Sequence, residues 1–205
     1  MFKQIPVTEY ALTHRRLVYG VGINDADYLT QPIIAATGKQ ERCPFYSRWF
    51  HMLVRCYSAG YQKKRPAYRG CSVCDEWLTF SNFKAWMSTQ DWQGKHLDKD
   101  IIKKGNKMYS PETCCFVSQR INSLLVDSAA RRGKCPQGVT RHKRDRKYYA
   151  EISIDGKSHH LGIYTTVEAA SADYRAAKAE AIRSVAMAQT NQIRDGLLRH
   201  AAEYD

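Results

Sequence analysis

The chain has 205 residues, 43% hydrophobic and 25% charged, which suits one medium domain or two small ones in a soluble, cytosolic protein. No apolar run approaches the roughly 20 residues that a membrane helix needs, and the first residues lack the charged start and apolar core of a secretory signal, so we expect no membrane partner. The formal net charge of +12 predicts a polyanionic partner, because a basic surface releases counterions from nucleic acid.

Residues 1 to 40 are of mixed polarity with scattered glycines, so we predict an N-terminal extension with little regular structure. A helix is predicted from Pro44, because proline is favoured in the first turn and apolar residues then recur at helical spacing. Those residues are Phe45, Trp49, Met52, Leu53, Cys56 and Tyr57. Arg48 and Arg55 border this face, where they either reach DNA phosphates or remain ordinary surface charges.

A basic loop runs from Gly60 to Gly70. Its cations are Lys63, Lys64, Arg65 and Arg69. The seven cysteines are odd in number and follow no signal peptide, so a disulfide framework is not expected. Cys71 and Cys74 have zinc-knuckle spacing, but no second pair follows. We expect small buried side chains here rather than a structural Zn²⁺ site.

Between positions 81 and 125 the pattern predicts a helix, two strands and a further helix. The first helix covers 81–87, and the strands cover 96–102 and 114–117, with a turn at 103–106. Ser118 is the predicted cap of the last helix. The inner face of that helix would carry Ile121, Leu124 and Leu125.

The C-terminal third begins with a predicted basic linker at 131–137. Eight Lys or Arg residues and one acid, Asp145, lie between positions 131 and 147, which favours nucleic acid over a merely solvated face. Strands are predicted at 138–143, 147–154 and 157–164, with Asp155-Gly156 as a hairpin turn. A capping box from Thr165 to Glu168 opens an alanine-rich helix over 167–188, and the tail from 191 would form a further short helix.

The strand–loop–strand–helix order could hold a divalent metal between strand and helix. Residues 42 to 127 resemble the HNH, or ββα-metal, endonucleases, especially the phage homing endonucleases. The segments that carry the resemblance are Arg55-Cys-Tyr57, Cys74-Asp-Glu-Trp77 with Phe80-Ser-Asn-Phe83, Leu97-Asp-Lys-Asp100 and Tyr109-Ser-Pro-Glu-Thr-Cys114. The resemblance implies a metal-binding nuclease core.

That resemblance implies catalytic roles for four residues. Asp98 and Asn122 match the metal ligands, and the implied cofactor is Mg²⁺ or Mn²⁺. Lys99 stands where the family often has its base histidine, and Thr113 where it has the asparagine that orients this base. A lysine with an ordinary pKa of about 10.4 is protonated, so Lys99 would bind phosphate, with His96 or water as the base, unless its surroundings lower its pKa.

Residues 138 to about 182 resemble the plant APETALA/ethylene-response-factor (ERF) DNA-binding domain, which also occurs appended to phage HNH nucleases. The resemblance rests on Gly138-Val139, on Tyr149-Ala-Glu-Ile152, and on the segment from Leu161 to Ala170 with Tyr174. Strand alternation directs one set of side chains to the helix, namely Tyr148, Ala150 and Ile152, and the other to DNA, namely Tyr149, Glu151 and Ser153. Further implied DNA contacts are Thr140, His142, Ser158 and His160. The predicted phosphate contacts are Arg141, Lys143, Arg144 and Lys147.

We therefore predict an α+β protein with a ββα-metal HNH-like core, followed by a three-stranded antiparallel sheet packed on one helix. The predicted domains are an extension (1–40), an HNH endonuclease-like domain (41–130), a basic linker (131–137), an APETALA/ERF-like domain (138–188) and a tail (189–205). The predicted function is a metal-dependent DNA endonuclease, a hydrolase of homing or nicking type in the cytoplasm of a bacteriophage-infected host, whose sheet selects the site on double-stranded DNA. The alternatives are a catalytically inactive HNH-fold DNA-binding or regulatory phage protein, and a phage factor that binds a host protein.

Overall fold

The computed structural model describes residues 2–34, 38–127 and 134–205. Its contacts divide the chain into two compact units. Unit 1 comprises Met1–Gln93 and Gly105–Phe116, and unit 2 comprises Gly94–Lys104 and Val117–Asp205. Positions 131–133 of the predicted basic linker lie outside the described residues, as do positions 1, 35–37 and 128–130.

Short helices and strands alternate along the first 125 residues, and longer elements follow. In chain order the elements are α1 (Glu9–Thr13), β1 (Ile33–Ile34), β2 (Lys39–Gln40), α2 (Pro44–Tyr57), α3 (Ala59–Lys64), a 3₁₀ turn (Pro66–Tyr68), β3 (Ser72–Val73), α4 (Asp75–Leu78), α5 (Phe80–Ser88), β4 (His96–Asp98), β5 (Met108–Tyr109), β6 (Cys115–Val117), α6 (Gln119–Leu125), β7 (Val139–Arg141), β8 (Tyr148–Ile154), β9 (Lys157–Tyr164), α7 (Val167–Ala186) and α8 (Asn191–Ala202).

The core of unit 1 lies where α2 packs on α5. The indole nitrogen of Trp49 donates a hydrogen bond to the carbonyl oxygen of Trp77 at 2.7 Å, which satisfies that buried donor. The helix predicted from Pro44 is confirmed, and four of the six residues predicted for its inner face are buried: Trp49, Met52, Leu53 and Cys56. Tyr46 is buried and Phe45 is only half-buried, because the Tyr46 ring packs edge-on against Phe80 with centroids 5.4 Å apart.

The N-terminal extension contains one five-residue helix and a two-residue antiparallel ladder between β1 and β2. Its longest loop is organised by one side chain. The Arg15 guanidinium donates to the carbonyl oxygens of Asn24, Ala26 and Tyr28 at 2.8, 2.6 and 3.1 Å. One charged side chain thus satisfies carbonyl groups that no strand or helix pairs.

Unit 2 is built on the antiparallel sheet β7–β8–β9, which packs on α7, while α8 packs on α7 in turn. Ala150 and Ile152 are buried on the helix side of β8. The predicted hairpin turn is confirmed: Asp155 and Gly156 have φ values of 54° and 74°, as two-residue turns between twisted strands require. The mixed α+β class and the three-stranded antiparallel sheet are confirmed.

Three predicted boundaries in unit 2 are wrong by a few residues. The cap of α7 is Thr166, whose hydroxyl accepts from the amide of Ala169 at 3.2 Å, and not Thr165. Strand β7 stops at Arg141, because the chain turns back through Arg146 at a φ of 57° and His142 N donates to Lys147 O. Strand β4 covers three residues instead of seven.

Among the described residues, no helix combines the length and the apolar character needed to cross a lipid bilayer. The cysteines carry free thiols. Five of them are buried, as their interpretation as small core residues predicts: Cys43, Cys56, Cys71, Cys114 and Cys115.

Candidate nucleic-acid interface and metal site

One face of the unit 2 sheet is turned away from α7. Residues paired across antiparallel strands share a face, and the register pairs Thr140 with Tyr149, Glu151 with His160, and Ser153 with Ser158. These are the strand residues that the sequence assigns to DNA contact. The sheet therefore brings the predicted base-contacting side chains together on one outer face.

A register shift between Ala150 and Glu151 inserts one extra residue, Leu161, into β9. The side chain of Leu161 packs against the core below the sheet. The bulge thereby keeps His160 opposite Glu151 on the outer face while Leu161 stays on the core side.

Tyr149 lies at the centre of the outer face. Its ring stacks on His142, with centroids 3.7 Å apart and planes 15° apart, and His160 lies 5.8 Å away on the next strand. The Tyr149 hydroxyl donates to Asp145 Oδ2 at 2.7 Å, and the amide of Lys147 donates to Asp145 Oδ1 at 3.0 Å. These two hydrogen bonds hold the pKa of Asp145 below its ordinary value and fix the orientation of the tyrosine ring.

Glu151 is the one acidic residue among these contact positions. Its carboxylate accepts a hydrogen bond from the Ser158 hydroxyl at 3.4 Å, and its Oε1 lies 4.0 Å from Nδ1 of His160. The carboxylate is exposed, so it can also accept a hydrogen bond from a ligand amino group.

Four exposed cations that the sequence assigns to phosphate contact lie in β7 and the turn after it: Arg141, Lys143, Arg144 and Lys147. The side chain of Arg141 lies on a different side of the sheet from the predicted base contacts. It pairs with Tyr148, and its guanidinium lies 5.9 Å from the Tyr148 ring, on the side of the sheet that faces α7. The other three cations extend from the turn at the end of the sheet.

Asp98 ends strand β4 by turning its carboxylate onto its own backbone. Its Oδ1 accepts the amides of Asp100 and Ile101 at 2.7 and 2.9 Å. This local bond competes with strand pairing and explains why the predicted strand stops here. Burial raises the pKa of Asp98, although the two amide bonds oppose the shift.

Lys99 is buried, with 5% of its surface exposed. Its ammonium donates to both carboxylate oxygens of Asp100, at 2.7 and 2.8 Å. A protonated ammonium in this ion pair cannot accept a proton from water. The geometry therefore gives Lys99 a role inside the loop rather than that of a base.

Helix α8 holds this loop in place, which the sequence did not predict. Arg199 donates to the carbonyl oxygen of Ile102 at 2.8 Å, and Nε2 of His200 lies 3.4 Å from the carbonyl oxygen of Asp100. A Cβ on Gly196 would lie 2.3 Å from the carbonyl oxygen of Ile101. The signal was Gly196 itself, because a glycine inside a helix is costly and often marks close backbone approach.

Asn122 lies half-buried on α6, and α6 contacts β4, the strand that carries Asp98. One carboxylate and one side-chain amide supply hard oxygen donors of the kind that Mg²⁺ or Mn²⁺ takes, with Asp98 Oδ2 as the oxygen left for an ion. Among the described residues, no three His, Cys, Asp or Glu side chains are grouped to hold a metal. Any ion here would need further ligands from water or phosphate.

Thr113, the fourth predicted catalytic residue, belongs to unit 1, whereas Asp98, Lys99 and Asn122 belong to unit 2. Its hydroxyl donates to the carbonyl oxygen of Met108 at 2.9 Å and lies 3.1 Å from the Ser110 hydroxyl. These bonds close the turn before β6.

The two arginines predicted to border the apolar face of α2 are both partly buried in unit 1. The Arg55 guanidinium lies 5.6 Å from the Tyr68 ring and 3.5 Å from the Tyr109 hydroxyl. Arg48 is half-buried, and burial together with neighbouring Arg55 lowers its pKa.

Within unit 2, α6 also contacts β8 and α7. A cleft of about 570 Å³ lies between α6, the β8–β9 turn and α7. The Arg120–Asp155 ion pair joins α6 to the turn at 2.8 Å. The helix that carries Asn122 is thus attached to the sheet itself. Comparisons with protein-family models, with curated proteins and with solved structures found no match to this chain.

Proposed function

We propose that this chain binds double-stranded DNA through the outer face of its C-terminal sheet, as a phage protein related to the HNH endonucleases. The observation that carries the proposal is the collection of partly or fully exposed polar and aromatic side chains on one face, with a basic turn at its end. The members of that face are Thr140, His142, Tyr149, Glu151, Ser153, Ser158 and His160. The host-cell cytoplasm is the proposed location.

The major groove of B-DNA is wide enough for a β-ribbon, and each base pair presents a distinct set of donors and acceptors there. Glu151 would accept a hydrogen bond from a base amino group, and Tyr149 and His142 would supply apolar contact. The cations Lys143, Arg144 and Lys147 would contact phosphates, which set the orientation of the protein but do not read sequence.

The test compares substitutions on the two faces of the sheet. His160 pairs with Glu151 on the outer face, whereas His159 pairs with Ile152 on the helix side, and both are exposed. We expect Tyr149→Ala combined with His160→Ala to weaken binding to a selected duplex by about tenfold or more, because base contacts each contribute about 1–3 kcal/mol. His159→Ala should change affinity by less than about twofold. Equal effects from both faces would refute the sheet interface.

Metal-dependent cleavage is a second proposed function. It is favoured by the placement of Asp98 on a strand that α6, with Asn122, packs against. When bound, Mg²⁺ or Mn²⁺ would polarise the phosphate and lower the pKa of a water ligand. Asp98 and Asn122 would hold the ion, and the internal ion pair of Lys99 leaves the base to water or to another group. Without cleavage, the same sheet would serve a regulatory DNA-binding protein.

A plasmid-nicking assay with each metal tests this second function. We expect the native chain to nick supercoiled DNA, and Asp98→Asn and Asn122→Ala to lower the rate by about 100-fold or more, because the first removes the negative charge of one metal ligand and the second removes the other ligand. Retained DNA binding by these variants is the control. Intact plasmid with the native chain across many DNA sequences would reject cleavage and leave the regulatory alternative.

A further inference from the structure

Unit 1 carries a strongly basic surface that the proposed function does not use. No Asp or Glu lies between Tyr57 and Asp75, and four cations fall within seven residues. The segment from Lys63 to Arg69, which comprises the end of α3 and the 3₁₀ turn after it, is named the basic loop, and its cations are Lys63, Lys64, Arg65 and Arg69. All four are exposed. Within the described part of the chain, none of them forms an ion pair with a carboxylate.

The basic loop is held in a fixed shape. The Gln62 side-chain amide donates to the carbonyl oxygens of Cys56 at 2.7 Å, of Arg55 at 3.1 Å and of Tyr68 at 3.4 Å. The rings of Tyr61 and Tyr68 pack 5.7 Å apart beneath it. A rigid backbone loses little further entropy on binding, so its charges can contribute to affinity.

A fifth cation comes from elsewhere in the sequence. Lys107 is exposed, and its ammonium donates to the carbonyl oxygen of Ala67 at 2.9 Å, inside the basic loop. The fold of unit 1 therefore concentrates positive charge beyond what the local sequence supplies.

We infer that the basic loop is a second DNA-binding surface, which contacts the phosphate backbone without reading sequence. A uniform run of cations suits a polymer that carries one negative charge per roughly 1.7 Å of duplex. Acidic protein surfaces mix their charges with neutral and basic side chains, so they match this loop less well. The inference deepens the proposed function, because unit 1 and unit 2 would then each carry a surface that binds DNA.

Phosphate contacts made by the loop have a measurable consequence. Each contact makes the fall of log affinity with log salt concentration steeper by about 0.9. The loop should therefore contribute to the salt dependence of binding and not to the choice of sequence.

The experiment measures fluorescence anisotropy of a labelled duplex with the full chain between 50 and 300 mM KCl. The loop variant is Lys63→Gln, Lys64→Gln and Arg69→Gln. The matched control is Lys3→Gln, Arg16→Gln and Lys39→Gln, which also lie exposed in unit 1. Both variants lower the net charge from +12 by three to +9, so a difference between them reports position and not total charge.

We expect the loop variant to reduce the salt slope by roughly 2 and the affinity at 100 mM KCl by about tenfold, because up to three phosphate contacts are lost. The control should change the slope by less than about 0.5, and both variants should keep the native circular dichroism spectrum. Equal slopes for loop variant and control would overturn the inference and point to an acidic protein as partner. The outer-face variants separate the two ideas: native binding by those variants rejects the sheet interface, while a loss confined to the loop variant still supports the loop.

Discussion

The outer sheet face and the loop from Asp98 to Asp100 both collect polar side chains, but they use them differently. On the sheet, Tyr149 is half-buried and Glu151 and His160 are exposed, and their hydrogen bonds and ring contacts go to other surface side chains. In the loop, Asp98 accepts two backbone amides and the ammonium of Lys99 is paired with Asp100. Groups already satisfied inside the protein define the shape of a segment, whereas exposed groups remain available to a partner.

The largest expected effect is on stability, and it tests whether the Asp98 carboxylate stabilises the loop by accepting the two amides. Asp98→Ala leaves the amides of Asp100 and Ile101 without their acceptor, and we expect it to lower the free energy of unfolding by about 2–3 kcal/mol. Asp98→Asn keeps an oxygen acceptor and removes a buried charge, so it should be at least as stable as the native chain at pH 7. Urea unfolding at pH 7 provides the measurement.

The pH dependence of stability, compared between the native chain and Asp98→Asn, sharpens this test. Burial raises the pKa of Asp98 above its unfolded value of about 3.9. Its contribution to stability is therefore fully present below pH of about 4 and is lost as pH rises through the folded pKa. Relative to Asp98→Asn, the native chain should become less stable as pH rises. A constant difference between the two proteins from pH 4 to 7 would contradict the burial of this charge.

A smaller effect is expected where α8 meets the loop. Gly196→Ala places a Cβ 2.3 Å from the carbonyl oxygen of Ile101, and we expect a loss of about 1–2 kcal/mol in spite of the better helix propensity of alanine. Gly60→Ala, in α3, has open space around its Cβ and should gain roughly 0.5 kcal/mol. A urea midpoint that rises for Gly196→Ala as it does for Gly60→Ala would mean that α8 does not approach the loop this closely.

The smallest expected effect on stability and DNA affinity is that of a conservative substitution on the sheet. Tyr149→Phe removes only the hydroxyl that donates to Asp145, an exposed bond that water can replace. We expect an unchanged urea midpoint and a DNA affinity within about threefold of native, since the stacked ring remains. A loss of about tenfold, as large as that expected of Tyr149→Ala combined with His160→Ala, would assign the contribution to the hydroxyl instead of the ring.

Local patterns predicted the sheet well. The Asp155-Gly156 turn, the alternation of Tyr149 and Ala150, and the cap at Ser118 all depend on residues close in sequence, and each is found where the pattern places it. Hairpin geometry and side-chain alternation leave few other arrangements for such a segment. The side of the sheet on which each predicted contact residue lies could therefore be assigned from the sequence, with Arg141 as the exception.

The Asp98 loop could not be predicted in the same way. Strand propensity favoured seven residues, but the Asp98 carboxylate bonded the following amides and ended the strand after three. Lys99 was expected to face a phosphate, and its burial depends on how the surrounding chain packs. The local sequence pattern does not predict which polar groups become buried.

The amino-acid sequence alone determined the α+β fold class, the positive charge and the two faces of the C-terminal sheet, because these follow from composition and short-range periodicity. Tertiary structure decided the surroundings of Asp98 and the gathering of cations around Ala67. Arg199 and Ile102 meet across 97 positions, and Lys107 and Ala67 across 40. Such contacts form only when distant segments pack, since close backbone approach and burial are properties of the folded chain and not of any segment within it.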